Sequence, residues 1–396
     1  MSFQNCNDTS RNSEPVTILQ DRSSCTGCHA CYNICPVKAI KMRPDSEGFL
    51  YPEIESDECI KCGRCKKACP VLNKPVIYSG TWAFAAYAKD EAEHRSSSSG
   101  GIFAVLARNV LSKGGTVCGA VFNEQLKVQH IMITSEDDLA KLKGTKYVQS
   151  EIGEIFLAVK SMLFSGRQVL FSGTPCQVAG LKAFLGKDYP ELLCVDLICH
   201  GVPSPEVFSR YLTEISDKPI VKMAFRNKKS GISEVMLDYE DSDGILLQEK
   251  YGESPYIIGF IENLYTRPSC FNCNFKGEKR TSDLTIGDFW GIQEFHPALL
   301  TDQGTSAVIV HSEKGLGFFD EVRSKLVVEP AITEEIKAWN ESIVQSAKYN
   351  PKREMFFSQW KEQTVRETVM KLCTEKKTKK LRIVDRMKGK IKRWLA

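Results

Sequence analysis

CTGCHACYNICP at residues 25–36 and CIKCGRCKKACP at residues 59–70 share one cysteine spacing. In each run, pairs of residues separate three cysteines, and a fourth cysteine follows three residues later and precedes proline. This is the ligand spacing of bacterial two-cluster ferredoxins, in which the fourth cysteine of each run binds the other cluster. The sequence therefore predicts two [4Fe–4S] sites with crossed ligands, formed by Cys25, Cys28, Cys31 and Cys69 and by Cys59, Cys62, Cys65 and Cys35.

Zinc and disulfide bonds are the alternatives for these cysteines. Cysteine pairs separated by two residues also suit a tetrahedral zinc ion, but the third cysteine and the Cys-Pro step are superfluous for zinc. Residues 1–20 are polar and lack the apolar core of a signal peptide, which favours a reducing cytosol over disulfide formation. No apolar run approaches the roughly eighteen residues needed to span a bilayer. We therefore expect a cytoplasmic protein that moves single electrons.

Past Trp82, apolar runs typical of strands alternate with helical patterns. This alternation predicts a mixed α/β (α+β) domain with a mostly parallel sheet. The ferredoxin module has little core of its own and is expected to need its metal to fold. We divide the chain into a disordered tail at 1–20, a ferredoxin-like domain at 21–75, the two parts of a larger catalytic domain at 78–155 and 156–345, and a helical basic tail at 346–396.

Four cysteines outside these runs stand at turn-like positions. Cys176 and Cys199 each follow an apolar strand and precede a helix, so both are predicted at the carboxyl ends of strands, where open α/β sheets bind ligands. Cys270 and Cys273 add a pair separated by two residues. Together the four have the ligand count of a third [4Fe–4S] cluster. The alternative is four ordinary buried thiols, and Cys194 is the reserve ligand in place of Cys199.

A flavin is expected because single-electron clusters need a partner that also transfers electron pairs, and a flavin does both. The Ser-Ser-Gly-Gly stretch at 98–101 precedes a predicted helix, whose first N–H groups suit a phosphate. Helix caps and flexible loops are the plainer explanation of such serines. Taken singly, the cationic runs at 143–147 and 225–231 are interpreted as solvated surface. Residues 284–291 supply a strand that ends at the carboxylate of Asp288.

Six motifs taken together resemble one family. They are SSGG (98–101), GTKY (144–147), GTPCQ (173–177), CHGVPS (199–204), RPSCFNC (267–273) and IGDFWG (286–291). Their combination is similar to the family of coenzyme F-420 (deazaflavin) hydrogenase/dehydrogenase beta subunits, with a ferredoxin fused at the N-terminus. The likeness spans roughly residues 21–345.

The resemblance implies FAD and an additional [4Fe–4S] cluster, because members of that family bind both. They reduce the deazaflavin coenzyme or, in photosynthetic relatives, substrates of the chlorophyll pathway. The larger α/β domain is thus expected to bind FAD. The resemblance implies a flavin site at Ser98, Ser99, Gly100, Gly101, Lys146, Thr174, Gln177 and Asp288, and a cluster at Cys176, Cys199, Cys270 and Cys273. No motif identifies a deazaflavin site, so the substrate stays open.

The leading hypothesis is an FAD-dependent iron–sulfur oxidoreductase. It exchanges electrons with a ferredoxin-like or other redox partner protein and acts on a small organic molecule. Lys146 or His200 would supply a proton, although a histidine beside a cluster ligand more often donates a hydrogen bond that tunes the metal. One alternative is a non-catalytic electron-transfer subunit, and another is a colourless binding protein stabilised by zinc.

The C-terminal residues are strongly basic. Residues 376–396 carry ten Lys/Arg and one acidic residue, which leaves the rest of the chain net acidic and without a basic field for nucleic acid. Val384, Met387, Ile391, Trp394 and Leu395 recur at helical spacing, as in an interfacial helix. Peripheral contact with the inner face of a membrane is one expectation; a solvated terminus and a helix that docks on a partner are the alternatives.

Overall fold

The computed structural model describes residues 17–78, 82–228 and 231–373. The predicted interfacial helix of residues 376–396 and most of the predicted disordered tail lie outside these ranges. Within them, no helix combines the length and the apolar character that crossing a membrane would need.

The first described segment has the predicted ferredoxin-like form. It contains two short helices and an antiparallel hairpin, namely α1 (Ala30–Ile34), β1 (Ile40–Pro44), β2 (Leu50–Ile54) and α2 (Arg64–Lys67). Each helix starts inside a cysteine run. Its N-cap residue, His29 for α1 and Gly63 for α2, takes a left-handed conformation with φ of 61° and 72° respectively. These tight turns let each run form a compact loop.

The rest of the described chain alternates strands with helices, as predicted. In chain order the elements are β3 (Trp82–Ala88), α3 (Glu91–Ser96), α4 (Ile102–Ser112), β4 (Thr116–Phe122), β5 (Val128–Ile133), α5 (Leu139–Leu142), α6 (Ile155–Phe164), β6 (Val169–Gly173), α7 (Pro175–Leu185), β7 (Leu192–Leu197), α8 (Pro205–Leu212), β8 (Ile220–Asn227), β9 (Met236–Asp241), β10 (Leu246–Lys250), α9 (Pro255–Ile261), β11 (Leu284–Asp288), α10 (Ile292–Phe295), β12 (Ser306–Val310), α11 (Glu313–Val322), β13 (Leu326–Ala331), α12 (Thr333–Trp339), α13 (Lys352–Gln359) and α14 (Val365–Cys373).

The main sheet has eight strands in the order β13-β3-β12-β11-β7-β6-β4-β5. Its central strands β11, β7, β6 and β4 are parallel, whereas the strands on both flanks pair antiparallel. The prediction of a mostly parallel sheet is therefore correct for the centre only, and the sheet as a whole is mixed. The β4–β5 connection shows one reason, because residues 123–127 are too few for the crossover that a parallel pair needs.

Helices cover both faces of the main sheet. Helices α4 and α11 pack over one face, together with Leu170 and Val195. Helices α6 and α7 pack over the other, together with Phe171 and Cys194. Side chains alternate along each strand, so β6 and β7 contribute to both cores. Because β6, β7 and β11 are parallel neighbours, their carboxyl ends meet at one edge of the sheet.

A second core lies beside the main sheet. Strands β8, β9 and β10 form a three-stranded antiparallel sheet that packs with α8, α9, α13 and α14. Phe356 of α13 and Val365 of α14 are fully buried in this core. The described part of the predicted tail, residues 346–373, therefore belongs to the folded body.

Candidate functional site

Cys25, Cys28, Cys31 and Cys69 line one cavity of about 390 Å³ in the ferredoxin-like segment. These four, the Cys25 set, are the ligands predicted for one of the crossed clusters. Burial raises the pKa of the Cys28 thiol to about 12 and raises the pKa of the Cys31 thiol as well. Thiols in such surroundings ionise when a metal supplies the opposing charge. The cavity and its donors therefore fit a cubane held by both cysteine runs.

The other ferredoxin set, the Cys59 set, lies at the surface. Cys62 is exposed, and Cys59 and Cys65 are half-buried. Burial raises the pKa of the Cys65 thiol, and the neighbouring thiols of Cys59 and Cys62 raise it further. Cys35, the predicted fourth ligand, follows α1 directly, and α1 packs against α2, which carries Cys65.

The structure brings together the four cysteines predicted to bind a third cluster. Burial raises the pKa of the Cys176 thiol, and the nearby thiols of Cys273, Cys199 and Cys270 raise it further. Cys176 is the second residue of α7, and Cys199 lies two residues past β7. The strand ends indicated by the sequence thus converge with the Cys270/Cys273 loop. These four residues form the third set, and their binding of a cluster stays a prediction.

The surroundings of the third set suit an anionic cluster. The Thr174 hydroxyl lies 3.2 Å from the Cys176 sulfur. Burial raises the pKa of Cys199, and the positive charges of Lys276 and Arg280 oppose that rise. Cys194, the reserve ligand, lies instead within β7 and packs in the core. Across the described ranges, no three His, Cys, Asp or Glu residues are arranged to hold a single metal ion.

Helix α7 connects the third set with the Cys25 set. Gly180 packs so closely on Cys28 that a Cβ atom at residue 180 would lie 2.8 Å from the Cys28 Cβ and 3.0 Å from its sulfur. Cys176 lies one turn earlier on the same helix, about 6 Å along its axis. The two sets are therefore neighbours across a single helical turn.

We expect Gly180→Ala to lower the free energy of unfolding by about 1–3 kcal/mol, because the added methyl group overlaps Cys28. Gly317 provides a matched control, since it also lies inside a helix but meets no atom within 4 Å. Gly317→Ala should stabilise the protein by up to about 1 kcal/mol through helix propensity. Urea unfolding of the holoprotein measures both changes, and equal stabilisation by the two substitutions would contradict the α7–Cys28 contact.

Arg267 is a second link between the two sets, and it was not singled out from the sequence. Its side chain is fully buried. It donates hydrogen bonds to the carbonyl oxygens of Cys25 and Leu50, at 2.8 and 2.9 Å, and to Gln149 Oε1 at 2.9 Å. Cys270 follows three residues later in the RPSC motif. The RPSC motif was the available sign that Arg267 matters, but the motif does not reveal which distant groups this arginine contacts.

The predicted flavin residues 98–101 form a tight loop before α4. Gly100 donates its N–H to Ser306 Oγ at 2.9 Å, and a Cβ atom there would overlap the Ala86 carbonyl oxygen. Gly101 has a φ of 86°, which favours glycine. Ser98 Oγ accepts the N–H of Thr145 at 2.7 Å, so the 144–147 loop lies against it.

Two cations face this region: Arg226, which lies on β8, and Lys228, which follows the end of that strand. Lys228 is buried and donates to the Ser99 carbonyl oxygen at 3.2 Å. Burial lowers the pKa of Lys228 to about 8, and the Arg226 charge acts in the same direction. Arg226 Nη1 donates to Asp288 Oδ2 at 2.7 Å. The interpretation of this run as solvated surface is wrong for both residues, because β8 carries them to the edge where β11 ends. We call the 98–101 loop, Arg226, Lys228 and Asp288 the loop–cation group.

Thr174 and Gln177, also predicted for the flavin site, lie at the N-terminus of α7. Gln177 Oε1 accepts the Thr174 N–H at 2.9 Å, and the Gln177 amide donates to Ser150 Oγ at 3.0 Å. Ser150 is hydrogen-bonded in turn to His130. These hydrogen bonds cap the helix that carries Cys176, so the two residues stand with the third set rather than with the 98–101 loop.

Lys146 and His200, the candidate proton donors, are both held by neighbours. The Lys146 amine donates to the carbonyl oxygens of Leu142 and Lys143, at 3.1 and 2.8 Å, where α5 ends. Burial lowers the pKa of Lys146 to about 7, so this amine exchanges a proton near neutral pH. His200 Nε2 lies 2.9 Å from Asn263 Oδ1, which fixes the ring beside the third set.

Comparison with known proteins gives three matches to family models. Residues 83–156 match the N-terminal part, and residues 166–335 the C-terminal part, of "Coenzyme F420 hydrogenase/dehydrogenase, beta subunit". Residues 24–73 match "4Fe-4S dicluster domain". The predicted family resemblance and the predicted iron–sulfur ferredoxin domain are confirmed.

Two similar proteins come from methanogens. One subunit of the F(420)H(2) dehydrogenase of Methanosarcina mazei is 22% identical over 323 residues, which cover 77% of this chain and 84% of that protein. An uncharacterized protein of Methanocaldococcus jannaschii is 24% identical over 343 residues, which cover 76% and 86%. A chain of the F420-reducing [NiFe] hydrogenase complex from Methanosarcina barkeri aligns with 76% of this chain and 93% of its own, at 16% identity and a TM-score of 0.43.

Proposed function

Because this chain belongs to the family of coenzyme F420 hydrogenase/dehydrogenase beta subunits, we propose that it is an FAD-dependent iron–sulfur oxidoreductase. It passes electrons between a ferredoxin-type carrier and an organic substrate or a deazaflavin-like coenzyme. One observation carries the proposal: the three cysteine sets follow one another from the exposed Cys62, through Cys28, to Cys176 on α7. Clusters held by these three sets would give electrons that enter at the surface a route to the edge of the main sheet.

The loop–cation group lies next along this edge. Cys199 follows β7 and Asp288 ends β11, and these strands are parallel neighbours, about 5 Å apart. Open α/β sheets bind ligands at the carboxyl ends of such strands. A ligand held by the loop–cation group would therefore be adjacent to the third set.

We propose that the loop–cation group holds the diphosphate of FAD. Helix α4 begins at Ile102, so the N–H groups of its first turn present positive charge to an anion. Lys228 adds a cation and Arg226 adds a guanidinium that is paired with Asp288, and the lack of side chains at Gly100 and Gly101 permits a close approach. FAD, when bound, supplies the conversion between single-electron and two-electron transfer.

Flavin extraction tests this assignment. We expect about one FAD per chain in the wild-type protein, and about a tenfold loss of FAD affinity in Lys228→Met, which removes a charged hydrogen-bond donor. Lys222→Met changes an exposed lysine of β8, the strand that precedes Lys228, and should bind FAD as the wild type does. Iron content should be the same in all three. A wild-type protein that neither retains FAD nor binds added FAD would overturn the proposal.

A second candidate function is a non-catalytic electron-transfer subunit. The M. mazei relative is, by its name, one subunit of a dehydrogenase, which favours this alternative. Anaerobic turnover separates the two, with reduced deazaflavin coenzyme as the donor and a viologen dye as the acceptor. Dye reduction that depends on the coenzyme supports the oxidoreductase. An FAD-loaded chain that exchanges electrons with the dye but oxidises neither the coenzyme nor other organic donors supports the carrier role.

The pH dependence of turnover tests Lys146 as the proton donor. With its pKa lowered to about 7 by burial, the amine is protonated below that pH and neutral above it. Turnover in the direction of substrate reduction, which draws a proton from Lys146, should therefore decline as the pH rises through about 7. Lys146→Met should lower turnover by about 10²–10⁴-fold and remove this pH limb. A Lys146→Met variant that keeps both the rate and the limb would exclude this role.

A further inference from the structure

We propose that the loop around Cys62 is the docking surface for an acidic protein that carries single electrons. This surface, which we call the distal loop, comprises the loop at residues 58–63 together with helix α2, and contains Cys59, Cys62 and Cys65. The inference rests on one part of the proposed function, namely that the ferredoxin-like segment exchanges electrons with a carrier. It is independent of the flavin and of the organic substrate.

The distal loop faces solvent, whereas the Cys25 set faces the body. Residues 60–64 are all exposed, and Ile60 is 61% exposed. In the Cys25 set, by contrast, Cys28 and Cys31 are buried, and Gly180 of α7 lies against Cys28. A protein carrier can therefore approach the Cys59 set more closely than the Cys25 set.

The charges of the distal loop are one-sided and uncompensated. It has one acidic residue, Glu58, and four exposed cations, which are Lys61, Arg64, Lys66 and Lys67. Among the described residues, no carboxylate forms an ion pair with any of these four cations. Two other surface cations of the same segment are paired: Lys38 lies 3.3 Å from Glu154, and Arg43 lies 2.8 Å from Glu55. The four cations thus remain available to attract an acidic partner.

These features suit a short-lived complex between this chain and an electron carrier. Complementary charge speeds association and orients the partners more than it adds affinity, and electron-transfer interfaces are small, below about 1,200 Å². Ile60 supplies an exposed apolar contact among the cations, in keeping with interfaces that combine an apolar centre with a polar rim. In each transfer the carrier loses one electron and the chain gains one, and no bond forms or breaks. An acidic ferredoxin-sized protein therefore matches the charge and the chemistry of the surface.

Stopped-flow electron transfer from a reduced, acidic plant-type [2Fe–2S] ferredoxin into the holoprotein tests the surface. The variant K61E/R64E/K66E/K67E should react at least about tenfold more slowly than the wild type at low salt. The two rates should converge as salt screens the charges. The control K218E/K222E/K250E/K361E makes the same change in net charge on exposed lysines elsewhere, namely Lys218 before β8, Lys222 and Lys250 of the smaller sheet, and Lys361 after α13. This control should react much as the wild type does.

Iron content and the extent of bleaching by dithionite should match in all three proteins, which shows that the clusters are intact. If the fourfold variant loses iron, Lys61→Gln and Arg64→Gln replace it, each with a smaller loss of rate and a weaker salt dependence. An undiminished rate in the distal-loop variants, or an equal loss in the control, would overturn the docking surface. A wild-type chain that accepts electrons here but turns over no organic substrate would contradict the proposed enzyme and leave the docking surface intact.

Discussion

Cys176→Ala is expected to remove about four iron atoms per chain and to leave about eight, because one cubane of three loses a ligand. The thiol lies with those of Cys199, Cys270 and Cys273, whereas both ferredoxin sets keep all of their cysteines. Electron flow between the ferredoxin-like segment and the organic substrate should stop, since the third set lies between them. Iron analysis and EPR spectra of the dithionite-reduced protein measure the two effects.

Cys118→Ala is the matched control for this substitution. Cys118 is a fully buried thiol of β4 that packs in the core of the main sheet. Its loss removes the same atom from the chain and should cost stability without costing iron. An iron content that is unchanged in Cys176→Ala, or equally reduced in Cys118→Ala, would remove the basis for a third cluster.

Arg267→Met is expected to lower the free energy of unfolding by about 3 kcal/mol, since three partly buried acceptors lose a charged donor that is itself fully buried. Two of these acceptors, the carbonyl oxygens of Cys25 and Leu50, belong to the ferredoxin-like segment, and Gln149 belongs to the larger body. The guanidinium also lies 4.3 Å from the centre of the Tyr51 ring, a cation–π contact. Its removal should loosen the ferredoxin-like segment from the body.

Arg43→Met is the control that separates the effect of burial on the free energy of unfolding from the effect of losing any arginine. Arg43 lies on β1 of the same segment, but its side chain is 55% exposed and pairs with Glu53 and Glu55 at the surface. Exposed pairs contribute roughly 0–1 kcal/mol, so this control should unfold almost as the wild type does. Urea unfolding followed by both circular dichroism and cluster absorbance compares the variants. A cost for Arg267→Met as small as that for Arg43→Met would contradict the anchoring role.

Short-range spacing explains what the sequence predicted well. The two ferredoxin runs are local patterns whose ligand geometry depends on a few neighbouring residues, and they match the dicluster model. The convergence of Cys176 with Cys199 followed from a general property of parallel sheets, namely that their carboxyl ends share one edge. These predictions required no knowledge of how distant side chains pack.

Contacts between distant segments explain what the sequence did not reveal. Arg226 and Lys228 form part of a polar run that resembles a solvated loop, and only the folded chain brings them into contact with Asp288 at the end of β11 and with Ser99 of the 98–101 loop. In the sequence Gly180 is one more glycine of a predicted helix, and its importance depends on its contact with Cys28 in the folded chain. The antiparallel flanks of the main sheet likewise depend on which strands become neighbours, which hydrophobic periodicity does not determine.

We propose that one chain holds three clusters in series, from the exposed distal loop to the edge of the main sheet. Iron and acid-labile sulfide, counted on the full chain after anaerobic purification, test it most directly. We expect about twelve of each per chain, the content of three cubanes. About eight of each, in a protein whose ferredoxin-type signals are complete, would contradict it.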